Sequence, residues 1–558
     1  MCSHGSVLRR QNIQTRPTRL LRLVHSDFQP IVRLVHTAQI DVENLSYATL
    51  SHCWGAALTS RLLKKLVKDY SLNVPWESLN LTFQDAIVTS LKLGIHYIWI
   101  DALCIIQDDE EDWNYEAARM TGVYLNSYLN ISADASSDGT EGLFRQRDPH
   151  PLQSFVVPHW KGDSQRCASI FYTDRWWDSV AHSPLASRAW TVQEMFLAPR
   201  VLHFAQQEVH WECVELFTAE SLPTLFNTIP TSDAIIRKSA LRDGLPEQEK
   251  TRVLYQLWYQ LVSIYSEGEL TFTSDRPIAI AGLAGVFCLL LGLSESYYLS
   301  GMWRPQLEHE LMWARYGHCW APQGRRVPNV PSWSWLSLCA GLCIHHRWDD
   351  ERGHEDDLIT AEIVHASTTP SQTAFGPVSS GELVLRVFLC QSAIRRGNSP
   401  YYHALEDHDR TMSIDGSLLR EEEHFELHLD DDVTQTIIEP VYLMLGRAEV
   451  AEDNESVSRP GSYSQSSVVS STKSSILDGI GYECLILEQS GQLSQFRRLG
   501  YVRFEPGRYR FSDMPNEEWV KLRIYAHDLL REQFVRGKLP DGVCGMPDQM
   551  GRYEITLI

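Results

Sequence analysis

The stretch "SRAWTVQEM", residues 187–195, sets an indole and a carboxylate four residues apart. On a helix that spacing puts Trp190 and Glu194 on one face. A carboxylate among apolar neighbours is costly to bury unless its charge has a use or a partner. Other polar residues follow directly on apolar runs: Ser51 and His52 after "YATL", Asp101 after "YIWI", Ser132 and Asp134 after "YLNI". If these runs are parallel strands, ligands bind beyond their carboxyl ends. Ser51, His52, Asp101 and Glu194 are then expected to line one crevice, with Trp54 and Trp190 as indoles beside it. Each residue also has a structural reading. His52 can be a satisfied core histidine and Asp101 a loop cap or a partner of Arg188 or Arg119. The tryptophans can be core, and Glu194 an ion-pair partner of Arg188.

Common catalytic signatures are missing: the chain has no GxGxxG, P-loop, GxSxG elbow or HExxH. Cys104 lies in an apolar run, where a thiol is inert. The 12 cysteines include no CxxC pair, which reads as reduced thiols in an intracellular protein. Cys339, Cys343, His345 and His346 cluster in "CAGLCIHH" without a second ligand pair of suitable spacing, so no metal site is expected.

The elements that must position these residues are legible. "YATLSHCWG", "HYIWIDALCI" and "YLNISADAS" read as three strands. Helices "SLNLTFQDAIVTSLKLG" and "DDEEDWNYEAARMTGVYLNS" separate them, the first stopped by Gly94 and the second carrying acids in its first turn. This β-α-β-α-β order predicts a parallel α/β sheet. The "SRAWTVQEM" helix is expected to start at Ser183 as N-cap with Pro184 in its first turn, and to end before Pro199. "RLLRLVH" with "IVRLVH", and "RVLHFAQQEVHWEC", read as β-hairpins.

Four segments are expected. They are an N-terminal extension (1–39), the α/β domain (40–215), a helical region (216–345) and a β-rich C-terminal region (346–558). The last contains a Ser-rich, disordered loop near 453–475. The apolar run "PIAIAGLAGVFCLLLGL", residues 277–293, would span about 25 Å as a helix, short of a bilayer core of roughly 30 Å. It reads as a buried core helix, and no membrane association is expected. A formal charge of −21 argues against a nucleic-acid partner. Six arginines before residue 34 faintly resemble a presequence, but the strand reading is preferred and a cytoplasmic protein is expected. Seventeen tryptophans point to large aromatic cores or stacking sites.

"YATLSHCWG", "YIWIDALCIIQDDEEDWNYEAARMTGVYLNS" and "SRAWTVQEMFLAPRVLHF" together resemble the heterokaryon incompatibility (HET) domain of filamentous fungi, over about residues 45–210. "TSDRPIAIAGLAG", "YYLSGMW" and "PSWSWLSL" are similar to the extension of large HET proteins. The resemblance implies a toxic effector domain of non-self recognition and regulated cell death, restrained by other regions of the chain. It also implies self-association or a regulatory protein partner. HET domains are in turn distantly similar to TIR domains, which implies a flavodoxin-like fold and cleavage of NAD, as substrate rather than cofactor. Trp190, Glu194 and Met195 keep the spacing of the TIR helix that carries a catalytic glutamate, and "LSHCWG" is similar to the TIR first-strand turn, one residue longer. The acidic "IIQDDEEDW" stands where TIR domains have a Gly-bearing loop. In such a reaction a single carboxylate faces the oxocarbenium-like centre while Trp190 keeps water out. The alternative is a non-enzymatic death-signalling and protein-interaction module built from the same residues.

Overall fold

The computed structural model describes residues 16–40, 45–55, 60–147, 155–158, 167–170, 177–214, 216–221, 246–315, 325–344, 358–371, 373–396, 410–414, 417–420, 425–430, 437–450, 480–504, 539–540, 542–550 and 552–558. The Ser-rich segment 453–475, residues 1–15, His345 and His346 lie outside them. The chain divides into two units, Met1–Leu293 and Ser294–Ile558.

In the first unit, β1 (Arg19–Val24) and β2 (Ile31–His36) form the expected antiparallel hairpin. Strand β3 (Ala48–Ser51) follows. A short helix, α1 (Val67–Leu72), precedes Val74, whose amide donates to the Val32 carbonyl of β2 at 2.8 Å. Helix α2 (Leu81–Lys92) is capped by the Asn80 side chain, which accepts from the Phe83 amide, and Gly94 stops it with a φ of 74°.

The run "HYIWIDALCI" does not stay extended as expected. Strand β4 covers only Tyr97–Trp99, and α3 (Asp101–Cys104) begins at once. Its turn closes because the Ile100 carbonyl accepts from the Leu103 and Cys104 amides, while Asp101 Oδ1 accepts from Ala102 N–H at 2.7 Å. The single helix expected over the acidic segment is two, α4 (Glu110–Ala117) and α5 (Met120–Leu125). At the break, the Arg119 amide turns to the Glu116 carbonyl and its side chain bonds Tyr115 and the Arg16 carbonyl.

Strand β5 (Leu129–Ser132) lies beside β3 with Ser51 opposite Ser132 and Thr49 opposite Asn130. After a small two-stranded sheet of β6 (Phe155–Pro158) and β7 (Cys167–Ile170) comes α6 (Ala189–Leu197). Helix α6 ends before Pro199 as expected but starts late. Its N-cap is Arg188, and Ser183 caps a separate turn by accepting from the Ala186 amide. The reason is tertiary. Arg188 is held extended by a bridge to Glu269, whose amide donates to the Ser187 carbonyl and whose carbonyl accepts from the Ala189 amide.

Strands β8 (Arg200–Phe204), β9 (Val209–Cys213) and β10 (Phe217–Ala219) complete an eight-stranded sheet in the order β10-β9-β8-β5-β3-β4-β1-β2. Strands β4, β3, β5 and β8 are mutually parallel, whereas the hairpins at both flanks are antiparallel. The sheet is therefore mixed α/β rather than parallel throughout. Short connections join β1 to β2, β8 to β9 and β9 to β10, and strands joined in that way pair antiparallel.

Helices α7 (Glu247–Glu267) and α8 (Arg276–Leu290) belong to this same unit and pack on α6. Phe287 stacks on Phe196 at 5.9 Å and meets Trp258 at 5.2 Å. By length and composition Thr273–Leu290 is the one helical stretch among the described residues apolar enough to cross a membrane, but α8 is held in a protein core, with most of its apolar residues buried.

The second unit is β-rich, as expected. Its main feature is an eleven-stranded sheet, centred on Val378–Val387, Ile437–Val450, Ile480–Gln489 and Gln495–Phe504. Trp303, Trp313, Trp333 and Trp335 are fully buried in this unit, so much of the tryptophan load is core. Arg498 is buried there against Asp430 at 3.0 Å and over the Trp313 ring.

Candidate functional site

Successive side chains of a strand alternate between faces, so Thr49 and Ser51 of β3 share a face with Asn130 and Ser132 of β5. All four are completely or almost completely buried, which is unusual for polar residues in central strands and requires internal partners. Thr49 Oγ1 donates to Asn130 Oδ1 at 2.9 Å, and Asn130 Nδ2 donates to Ser51 Oγ at 3.1 Å. Ser51 is thereby oriented at the carboxyl end of β3.

Helix α6 brings Glu194 to this point. Only 4% of Glu194 is exposed, and the Ser51 and Tyr124 hydroxyls hydrogen-bond to its carboxyl. Burial pushes that carboxyl up to about 7, although the Arg188 charge and the two hydroxyls pull the other way; Asp101 adds to the rise. Tyr124 comes from α5. It is buried, its ring stands edge-on to Trp99 at 5.7 Å, and its own ionisation is pushed far up by burial and by Glu194. It therefore remains a neutral hydroxyl donor at any ordinary pH.

Asp101 stands at the neighbouring strand end. Its Oδ2 accepts from Trp54 Nε1 at 2.8 Å, so the half-buried Trp54 is tied to the site through its polar edge rather than held as a free stacking plane. His52 is buried beside Asp101. At 3.7 Å, Nδ1 is too far from Asp101 Oδ1 for a hydrogen bond, and burial lowers the imidazole pKa, so the ring is neutral. Its ring packs edge-on to Phe83 at 4.9 Å, and Nε2 has no hydrogen-bond partner.

Arg188 forms no ion pair with Glu194 or Asp101; its Nη1 donates to the His52 carbonyl. Arg119 is likewise engaged elsewhere. The expected residues Ser51, Asp101 and Glu194 thus interact at one end of the sheet, with His52 and Trp54 beside them. Trp190 is half-buried and makes no hydrogen bond among the described residues.

Ser132 and Asp134 belong to a second cluster. Ser132 Oγ donates to Asp134 Oδ1 at 2.9 Å, and His203 Nδ1 lies 3.0 Å from Asp134 Oδ2. His203 Nε2 is 3.5 Å from Glu212 Oε2. Burial opposes a charge on His203, but the two carboxylates outweigh it and the imidazole pKa is raised.

Sequence reasoning overlooked Tyr124, Asn130 and Thr49, and it treated Arg188 only as an ion-pair partner. A signal existed for the strand residues: a polar side chain inside "YATLS" and "YLNIS" needs a buried partner. Tyr124 offered none, because a tyrosine on an amphipathic helix is ordinary core. The thiol of Cys104 is pushed up to about 12 by burial and is inert, as expected. Among the described residues no group of His, Cys, Asp and Glu is arranged to hold a metal ion.

The family model for the heterokaryon incompatibility protein (HET) matches residues 47–194, from the residue before β3 to Glu194 itself. The chain carries a HET domain. Comparison with curated proteins and with solved structures found no match. The HET match spans β3, β4 and β5 and both helical connections between them, so Ser51 and Tyr124, whose hydroxyls bond the Glu194 carboxyl, both lie within the domain.

Proposed function

We propose that this HET-domain protein is a TIR-like enzyme that cleaves the nicotinamide–ribose bond of NAD, with Glu194 as the catalytic carboxylate. The HET domain supports a role related to heterokaryon incompatibility. The finer reading is a cytoplasmic effector of regulated cell death in non-self recognition, working alone or with a regulatory partner. The strand order favours a flavodoxin-like ancestry. The parallel strands β4, β3, β5 and β8 are second, first, third and fourth in the chain, the order in which doubly wound sheets of that type begin. In such sheets the ligand crevice opens where the order reverses, at the carboxyl ends of the first and third strands. Here those are β3 and β5.

The observation that carries the reading is the state of Glu194. It is a buried carboxyl at that switch point, held by two neutral hydroxyls and by no ion pair. An uncompensated carboxylate is destabilising in the empty site and stabilising to a cation placed against it. NAD brings a pyridinium, and breaking the C–N bond moves that positive charge onto the ribose ring. The bonding pair leaves with neutral nicotinamide, so no general acid is needed. Water adds to the ribosyl cation, releases a proton and gives ADP-ribose. Ser51 and Tyr124 hold the carboxylate in place through this change, and Asp101 with Trp54 forms the adjacent wall.

The test is nicotinamide release from NAD by the purified, concentrated full chain, beside Glu194→Gln. Consumption by the parent and a large loss in the variant support the enzyme. No consumption by the parent at any protein concentration, together with toxicity retained by Glu194→Gln in cells, would leave the protein-interaction module as the reading.

A further inference from the structure

Arg188 is the feature that the chemistry of bond cleavage leaves unused. It stands between the two parts of the site. Its charge acts on Glu194, His52 and Cys53 alike. Its backbone is pinned on both sides, because Ser187 and Ala189 are bonded to Glu269. Its side chain is half-buried and fixed by a single bond, from Nη1 to the His52 carbonyl. A guanidinium has five N–H donors in a rigid fork. Among the described residues Nε and Nη2 of Arg188 make no hydrogen bond, and no carboxylate lies within ion-pairing distance of it. In a chain of formal charge −21, with Asp101 and Glu194 acting on the same site, Arg188 pairs with neither carboxylate.

We infer that Arg188 recognises a phosphate group of the substrate, so that the site selects nucleotides over unphosphorylated nucleosides. The inference rests on the reading of this site as one for NAD, whose pyrophosphate would otherwise meet two carboxylates and be repelled. The fork suits a phosphate oxygen pair, and charge-assisted bonds of this kind are the strong ones. Its place at the N-cap, one residue before α6, ties the anion contact through the backbone to the helix that carries Glu194.

The test is binding rather than turnover. ADP and adenosine are titrated calorimetrically into the full chain and into Arg188→Gln, and the ratio of the two affinities is read. Partial unfolding lowers both affinities together and leaves the ratio unchanged. The parent is expected to prefer ADP, and the preference should fall roughly 10- to 100-fold in the variant, the range for a lost charged hydrogen bond. A parent that binds ADP no better than adenosine overturns the inference, as does an undiminished preference in Arg188→Gln. An ADP preference that depends on Arg188 in a parent that never consumes NAD would sink the proposed reaction and keep the phosphate site.

Discussion

Replacing Glu194 by Gln separates a catalytic carboxylate from a structural one, because the two readings give opposite signs of stability. The carboxyl is raised from an ordinary 4.5 to about 7. The folded protein therefore binds this proton more tightly than the unfolded chain does. Between those two values the folded state holds more protons, so stability falls as pH rises through the window, and the loss is complete above about 7. The loss amounts to about 3 kcal/mol. Gln keeps an oxygen to accept from Ser51 or Tyr124 and carries no charge at any pH. Glu194→Gln should thus match the parent below the window and exceed it by up to about 3 kcal/mol above it, on the order of 5 °C in melting midpoint. Turnover should move the other way, down by about 10²–10³, because the charge facing the cationic centre is gone. Thermal melts at about pH 5 and about pH 8, either side of the raised carboxyl, are read beside nicotinamide release. A Glu194 held as a buried ion-pair partner behaves differently: its loss would strand a charge and destabilise the fold by about 3–5 kcal/mol. A variant that melts below the parent at the higher pH, with undiminished NAD consumption, would refute the assignment.

Three further outcomes are expected. Tyr124→Phe removes a hydroxyl that stabilises ionised Glu194, so the carboxyl should rise further and the ascending limb of the kcat/KM pH profile should move to higher pH; an unmoved limb counts against the contact. Asp134→Asn weakens the support of charged His203, whose stabilising effect is complete below its ordinary 6.5 and disappears as pH rises through its raised folded value. The cost is about 3 kcal/mol by chemical denaturation near neutral pH, with a lowered His203 titration by NMR. In Gly268→Ala the new Cβ would stand 2.6 Å from Ala189 Cα and 2.7 Å from its nitrogen, both backbone atoms at the start of α6. Overpacking there should cost about 1–3 kcal/mol in a melt and lower NAD turnover by shifting Glu194, and a variant with parental activity would show that α6 can adjust.

The amino-acid sequence alone determined the strands and their alternation with helices. Apolar runs ended by Ser51, Asp101 and Ser132, Gly94 after α2 and Pro199 after α6 are local signals, and local sterics enforce them. The motifs of the HET domain are likewise contiguous, and so is the Trp190–Glu194 spacing. What could not be read locally is whatever depends on contacts distant in the chain. The start of α6 moved from Ser183 to Arg188 because Glu269, some eighty residues on, binds the intervening backbone. The antiparallel flanks depend on which edge of the sheet each hairpin finds. Arg188 left the carboxylates for a backbone carbonyl, a choice invisible to charge pairing along the sequence. The setting of Glu194 is the clearest case. Its residue type and spacing were plain, but its raised pKa comes from burial against neighbours on separate elements, with Asp101 adding to the rise and Arg188, Ser51 and Tyr124 opposing it. Desolvation is a property of the packed neighbourhood, and only the tertiary structure creates it.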